Sequence, residues 1–183
     1  AYRLGVVESE TRNNAMVDCA KQFASEKKTT LILVSRINHA TYLEERLSFA
    51  GILTEVIRGS VSNEDRDRIL QRMWDGKTKA VVAICSTMGE GVNLPRLKAI
   101  INATGMRGGG DKSDGDTGRD TIQILGRGLR RYPGKTYVDY VDFFDTGHRF
   151  LKNATKDRFG TLKEEGYGDS IKLWSEYVED GNA

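Results

Sequence analysis

The residues best suited to chemistry lie between Gln123 and Arg131, in the run Gln-Ile-Leu-Gly-Arg-Gly-Leu-Arg-Arg. Arg127 and Arg130 are three apart, so on a helix both guanidinium groups leave the same face. Each is a permanently charged, planar fork, the shape that suits phosphate oxygens. Gly126 and Gly128 strip side chains from around Arg127 and let another surface approach closely. A glycine inside a helix is unfavourable by about 1 kcal/mol relative to alanine, so local stability does not explain two of them. The competing interpretation is a solvated basic helix, and the interleaved Ile124, Leu125 and Leu129 argue for a buried opposite face instead.

Other chemistry-bearing groups are weaker. Gly108-Gly109-Gly110-Asp111-Lys112-Ser113 imitates a phosphate-cradling loop. Yet Asp111 replaces the glycine before Lys112, and Met106 stands where the first glycine belongs, so a carboxylate would face the phosphate. Asp139, Asp142 and Asp145 imitate a magnesium-binding strand end, but without a P-loop they read as strand-end and turn acids. Asp111, Asp114 and Asp116 miss the calcium-loop spacing. Cys19, Cys85, His39 and His148 stand singly, which predicts neither a metal site nor a disulfide and fits a reducing cytosol. Cys19 falls on an apolar helical face, His39 reads as a cap or packing residue, and Trp74 reads as core. Trp174 and Tyr177, three apart, could dock on this domain or on a neighbour.

The elements that must position these groups follow from periodicity. Helical spacing covers Thr11 to Glu26, His39 to Ala50, a segment capped by Ser62, about Thr121 to Arg131 and about Gly147 to Glu165. Strand runs cover Thr30 to Val34, Leu53 to Ile57, Ala80 to Ile84, Lys98 to Ala103 and Tyr137 to Phe143. Alternation of this kind predicts an α/β fold, a mostly parallel sheet with helices on both faces and functional loops at the carboxyl ends of the strands. Gly105 to Gly118, with six glycines in fourteen positions, is expected to be a mobile loop and not a domain linker.

Composition agrees. The chain has 183 residues, 38% hydrophobic and 30% charged, enough for one domain with a real core. Its net charge is 28 − 26 = +2, so phosphate contacts are expected to be few. The charge is unevenly placed, with five basic residues and one acid from Arg119 to Lys135, and six acids against Lys172 from Glu164 to Ala183. No apolar run approaches the ~20 residues needed to span a bilayer. No basic-then-apolar leader precedes the domain, and the lack of an initiator Met suggests a piece of a longer chain.

Four segments in order resemble superfamily 2 helicases and translocases. Gln123 to Arg131 resembles motif VI, Q-x-x-G-R-x-x-R. Leu31 to Arg36 resembles motif IV, and Arg58-Gly59 with Arg66 resembles the segment H-G-x-x-x-x-x-x-R. Cys85 to Pro95 (Cys-Ser-Thr-Met-Gly-Glu-Gly-Val-Asn-Leu-Pro) resembles motif V. Arg58 stands where His is common, Asn93 where Asp is usual and Cys85 where Thr is frequent. Arg12-Asn13 and the stretch His148 to Tyr167 are similar to phage and restriction-type members.

The resemblance implies the C-terminal RecA-like lobe, a P-loop NTPase-like lobe lacking the P-loop, as a single domain over residues 1–183 with a helical extension over 147–183. It implies a cytoplasmic ATP-dependent motor on DNA, with RNA as the other candidate. The P-loop and the Mg2+ ligands would sit on an N-terminal RecA-like lobe. Arg127 and Arg130 would be arginine fingers, with Arg127 facing an open cleft unpartnered on its own lobe, and Gln123 would couple the site. Gly91 and Asn93 would lie near the ribose. Ser35, Arg36, Gly59, Arg66, Ser86 and Thr87 would touch the nucleic-acid backbone. The rival is a non-enzymatic nucleic-acid or protein binding module, against which the retained Arg127/Arg130 pair argues. A stand-alone flavodoxin-like enzyme lacks a recognisable cofactor loop.

Overall fold

A computed structural model describes residues 1–88, 92–106 and 117–181. Five strands build the sheet: β1 (Thr30–Val34), β2 (Thr54–Ile57), β3 (Ala80–Ile84), β4 (Ala99–Asn102) and β5 (Asp139–Val141). Their order is β2-β3-β1-β4-β5, and all neighbours are parallel. The helices are α1 (Glu10–Ser25), α2 (Ile37–Phe49), α3 (Asn63–Trp74), α4 (Thr117–Gly128), α5 (Arg149–Glu164) and α6 (Trp174–Gly181).

The central strands are apolar on both faces because helices cover both. Leu31, Val81 and Ile100 are in register and point into one core with Leu70 and Met73 of α3, Ile124 and Leu125 of α4 and Leu162 of α5. One residue on, Ile32, Val82 and Ile101 point the other way onto Met16, Cys19, Ala20 and Phe23 of α1 and Leu43 and Leu47 of α2. Full burial of each such side chain contributes about 1.5–3 kcal/mol, so the sheet is the rigid part on which strand-end loops are mounted.

Local signals act as expected at several ends. Ser62 caps α3 by accepting the Asp65 amide at 3.1 Å. β5 is shorter than the Tyr137 to Phe143 run: only Asp139, Tyr140 and Val141 pair with β4. α4 starts earlier and stops earlier than the apolar spacing suggests, ending at Gly128. His148 caps α5 through Nδ1, which accepts the Phe150 amide at 3.1 Å. His39 packs instead of capping, fully buried with Nε2 2.9 Å from the Asn13 side-chain oxygen.

The last helix, α6, had no periodic signal of its own, and it docks on this domain. Trp174 and Tyr177 meet Phe23 edge-on at 5.7 and 5.9 Å. The Tyr177 hydroxyl donates to Glu26 at 2.7 Å and accepts from Lys28 at 2.6 Å. Most of the glycine-rich segment, residues 107–116, lies outside the described residues, as do the P-loop imitation and the acids Asp111, Asp114 and Asp116.

Candidate functional site

Because the strands are parallel, their carboxyl ends share one edge of the sheet, about 4.8 Å apart from strand to strand. Arg58-Gly59 follows β2, a 3-10 turn from Cys85 to Met88 follows β3, Ser35-Arg36 follows β1 and Ala103 to Met106 follows β4. Apart from Arg66, which lies on α3, the candidate backbone-contacting residues therefore occupy three consecutive strand ends. Arg36, Gly59 and Ser86 are exposed, while Ser35, Arg66 and Thr87 are half-buried.

Two of these residues are joined directly. Arg66 of α3 donates from Nη1 to the Thr87 carbonyl at 3.4 Å, tying the helix to the turn after β3. The Thr87 hydroxyl donates to the Ile84 carbonyl at 2.7 Å, which turns it back on its own strand. Arg36 lies over the Tyr2 ring at 6.0 Å, and Arg58 reaches Glu44 at 3.5 Å. No hydrogen bond links Ser35, Arg36 or Gly59 to the Arg66–Thr87 pair among the described residues.

α4 stands beside this edge and lays Ile124 and Leu125 on the sheet. Gln123 and Gly126, spaced i, i+3, form an exposed stripe on its outer side, and Arg130, also exposed, lies two residues past the helix end. The two glycines play different parts. A Cβ on Gly126 would meet no described atom within 4 Å, whereas one on Gly128 would touch Ile100, Leu97 and Val138 at 3.4, 3.5 and 3.9 Å. A side chain on Gly128 would thus make ordinary packing contact with the sheet, while Gly126 faces open space among the described residues.

Arg127 corrects the expectation of an unpartnered finger. It is half-buried, and its Nη1 donates to the Met88 carbonyl at 2.7 Å, because α4 packs against the turn after β3. Arg130 is the exposed member of the pair, and its Nη1 donates to Asn93 Oδ1 at 3.0 Å. An uncharged Asn at this position accepts that bond without an ion pair. Gly91 lies outside the described residues.

A buried polar network holds the base of this region, and sequence spacing did not expose it. Arg158 of α5 donates from Nε and Nη2 to Asp142 at 2.9 Å each, and from Nη1 to the Met106 carbonyl at 2.7 Å. Arg12 of α1 donates to Asp145 at 2.9 Å and to the Ala103 carbonyl at 2.9 Å. Asn102 and Tyr140 also donate to Asp142, both at 3.1 Å. Two arginines and two aspartates cancel in charge, as burial demands. Burial pushes the Arg12 pKa down and the Asp145 pKa up, with each group opposing the other's shift. For Arg158 burial pulls down, but the Asp142 carboxylate outweighs it and raises the pKa. Lys28 meanwhile pairs with Asp139 at 2.5 Å. All three acids of Val-Asp-Tyr-Val-Asp-Phe-Phe-Asp are therefore engaged by arginine or lysine, and no group of three metal-ligating side chains occurs among the described residues. The signal that could have found the network is the pair of arginines, Arg12 and Arg158, each lying on an otherwise core-facing helical stripe.

A five-stranded parallel sheet with helices on both faces and a basic helix at its carboxyl edge is a RecA-like lobe. The helicase conserved C-terminal domain family matches residues 12–132, and the chain belongs to that family. It is 28% identical over 123 residues to IRC3 of Saccharomyces cerevisiae, by name an ATP-dependent helicase, covering 67% of this chain and 16% of IRC3. It is 26% identical over 102 residues to DBP3 of Candida glabrata, named as an ATP-dependent RNA helicase, covering 54% of this chain and 19% of DBP3. The chain thus spans less than a fifth of the curated relatives it matches. Among solved structures, T4 UvsW superposes with a TM-score of 0.62 at 18% identity, over 84% of this chain and 32% of that one. The C-terminal domain of the DEAD-box protein Dbp5 superposes with a TM-score of 0.60 at 17% identity, over 87% and 79%. These structures share its fold. Among the described residues, no helix is long and apolar enough to cross a membrane.

Proposed function

We propose that this chain is the second motor lobe of an intracellular ATP-dependent helicase or translocase acting on DNA or RNA, and that it works against an N-terminal RecA-like lobe. The observation that carries this reading is the exposed group of Gln123 and Gly126 on α4 and Arg130 just past its end, on an α4 that packs against the turn holding Thr87, to which Arg66 of α3 is bonded. A phosphate arriving there would meet the Arg130 guanidinium, which is bonded to a neutral amide and pairs with no carboxylate among the described residues.

The residues present fit a nucleotide only in part, as one half of a shared site. When bound between the lobes, ATP supplies the γ-phosphate whose transfer to water drives motion, and its Mg2+ would be held by acids of the other lobe. Arg130 is the residue placed to stabilise charge on the transferring phosphoryl group. Arg127, held by the Met88 carbonyl, orients the turn after β3 and supplies a second positive charge. Gln123 lies one turn from Arg127 on the same helix, and Asn93 would lie on the ribose side. Ser35, Arg36, Gly59, Arg66, Ser86 and Thr87 hold the strand by its phosphates, so they position it without reading its sequence.

Nucleic-acid-stimulated phosphate release by the two-lobe protein tests this. Arg130→Ala is expected to lower kcat by roughly 10³–10⁵ while nucleotide and strand binding survive. This chain alone is expected to release phosphate at the background rate. Turnover by the isolated chain, or unchanged kcat in Arg130→Ala, overturns the shared-site reading. Tight strand binding without any ATPase in the two-lobe protein would establish the binding module instead.

A further inference from the structure

The amino ends of the strands form a second basic site, on the opposite edge of the sheet. A notch of about 370 Å³ opens there between the end of α3 and the turn after α4. Strands of four to five residues, at about 3.3 Å each, put it roughly 15 Å from the residues discussed above. Six cationic side chains line it and no carboxylate does.

Not all six are free to act on a ligand. Two helices end at this notch, and each C-terminus carries about half a negative charge. Arg96 donates to the Trp74 carbonyl at 2.9 Å, and Lys135 donates to the Gly128 and Pro95 carbonyls, so these two serve the helix ends. Lys28 is held by Glu26 and Asp139. That leaves Lys27, Lys79 and Lys98, all exposed, whose ammonium groups meet no carboxylate among the described residues.

The register places two of them with care. Lys79 and Lys98 each immediately precede a strand whose first residue pairs with Thr30, so they flank Thr29 on the same face, two strands apart. That is a gap of about 10 Å. Between and behind them the notch offers Trp74, partly buried against the core, and Tyr132, which is 39% exposed and backed by Arg96 at 5.6 Å. Separated cations beside an accessible ring match a ligand with repeated phosphates and flat bases.

We infer that this notch binds single-stranded nucleic acid, with backbone phosphates on Lys79 and Lys98 and a base against Tyr132. The site lies outside the helicase motifs and goes beyond the motor reading. It would hold a strand segment on the face turned away from the cleft, so one lobe could contact two segments at once. An acidic peptide would use the lysines but would gain nothing from the ring.

The test is fluorescence anisotropy of a labelled oligothymidylate with the whole chain, over a range of salt concentrations. The doubly substituted Lys79→Ala/Lys98→Ala protein is expected to bind more weakly. Its salt slope should be flatter by about 1.4, from two contacts at about 0.7 each. Tyr132→Ala should weaken binding with the slope unchanged, and ultraviolet cross-linking should attach the oligonucleotide to the peptide containing Tyr132. Both exposed lysines are replaced without disturbing the core, and circular dichroism checks the fold. Arg36→Ala/Arg66→Ala is measured in parallel, alone and combined with the lysine changes. If only those variants lose binding, the notch proposal falls and the motor reading stands; if only the lysine variants do, the reverse holds. Displacement of the oligonucleotide by polyglutamate or tripolyphosphate at equal charge concentration would also overturn the proposal, because it would show an anion site indifferent to bases.

Discussion

Gly126→Ala should separate stability from function in this lobe. Gly126 lies in helical backbone inside α4, and a Cβ there meets no described atom within 4 Å. The methyl group would clash with none of the described residues and would remove the extra backbone entropy that glycine loses on folding. The expected gain is about 0.5–1 kcal/mol. For a domain of this size each kcal/mol moves Tm by roughly 2–4 °C, so the variant should melt about 1–4 °C higher. In the two-lobe protein the same methyl group would project from the stripe between Gln123 and Arg130, where a nucleotide and the partner lobe would have to close. Nucleic-acid-stimulated ATPase should therefore fall while the isolated chain becomes more stable. Differential scanning calorimetry of the chain and steady-state phosphate release by the two-lobe protein measure the two effects. A variant with raised Tm and full ATPase would refute the reasoning that this side of α4 faces a closing surface. A lowered Tm would refute the claim that the space is open.

Other substitutions read other parts of the structure. Arg158→Met strands the buried Asp142 carboxylate and should destabilise by about 3–5 kcal/mol in urea unfolding; the double change Arg158→Met/Asp142→Leu should recover much of it. Arg127→Ala removes a bond to the Met88 carbonyl from a half-buried site and should lower stability by about 1 kcal/mol, whereas exposed Arg130→Ala should stay within about 0.5 kcal/mol by the same melts. His39 is held neutral, its pKa lowered from 6.5 to about 4 by burial and by Arg12. The unfolded chain therefore binds the extra proton first, and His39's contribution is fully present above pH 6.5. That contribution falls away as pH drops toward 4, by about 3 kcal/mol in all. Urea unfolding of His39→Gln should show a correspondingly flatter dependence across that window, and parallel curves would exclude the assignment.

Legibility in the sequence tracked how local each cause was. Thr30–Val34 and Ala80–Ile84 are continuous apolar runs, and both strands fall where the runs do, because burial on both faces leaves no polar residue to blur their ends. Ser62 declares its cap three residues ahead of the amide it accepts. The parallel sheet with helices on both faces followed from alternation of strand and helix, whereas the order β2-β3-β1-β4-β5 came only with the structure. Where the cause was distant, the reading failed or stayed open. α6 is short and amphipathic only relative to Phe23, 151 residues before Trp174, so its docking could not be read from its own pattern. The partner of Arg127 was missed for the same reason, because the Met88 carbonyl is backbone and carries no residue signature.

The same distinction bears on the acids from Asp139 to Asp145, which imitate a magnesium site by spacing, read as strand-end and turn acids without a P-loop, and are held by arginine and lysine in the structure. Their spacing after a strand is what a magnesium site shows, and spacing alone does not say which cation answers it. Arg12 and Arg158 answer here from two helices, one on either side of the loop they secure, and each spends a further N–H on a loop carbonyl, Ala103 or Met106. Those carbonyls open the connection from β4 to α4. The two buried arginines thus fix the first residues that leave β4. Gly105 lies between the two anchor points with φ at +65°, and a Cβ there would sit 2.7 Å from Val6, so only glycine fits the turn that the arginines hold. A charge-neutral network buried at the strand ends thus holds rigid the segment where acid spacing alone imitates a metal site.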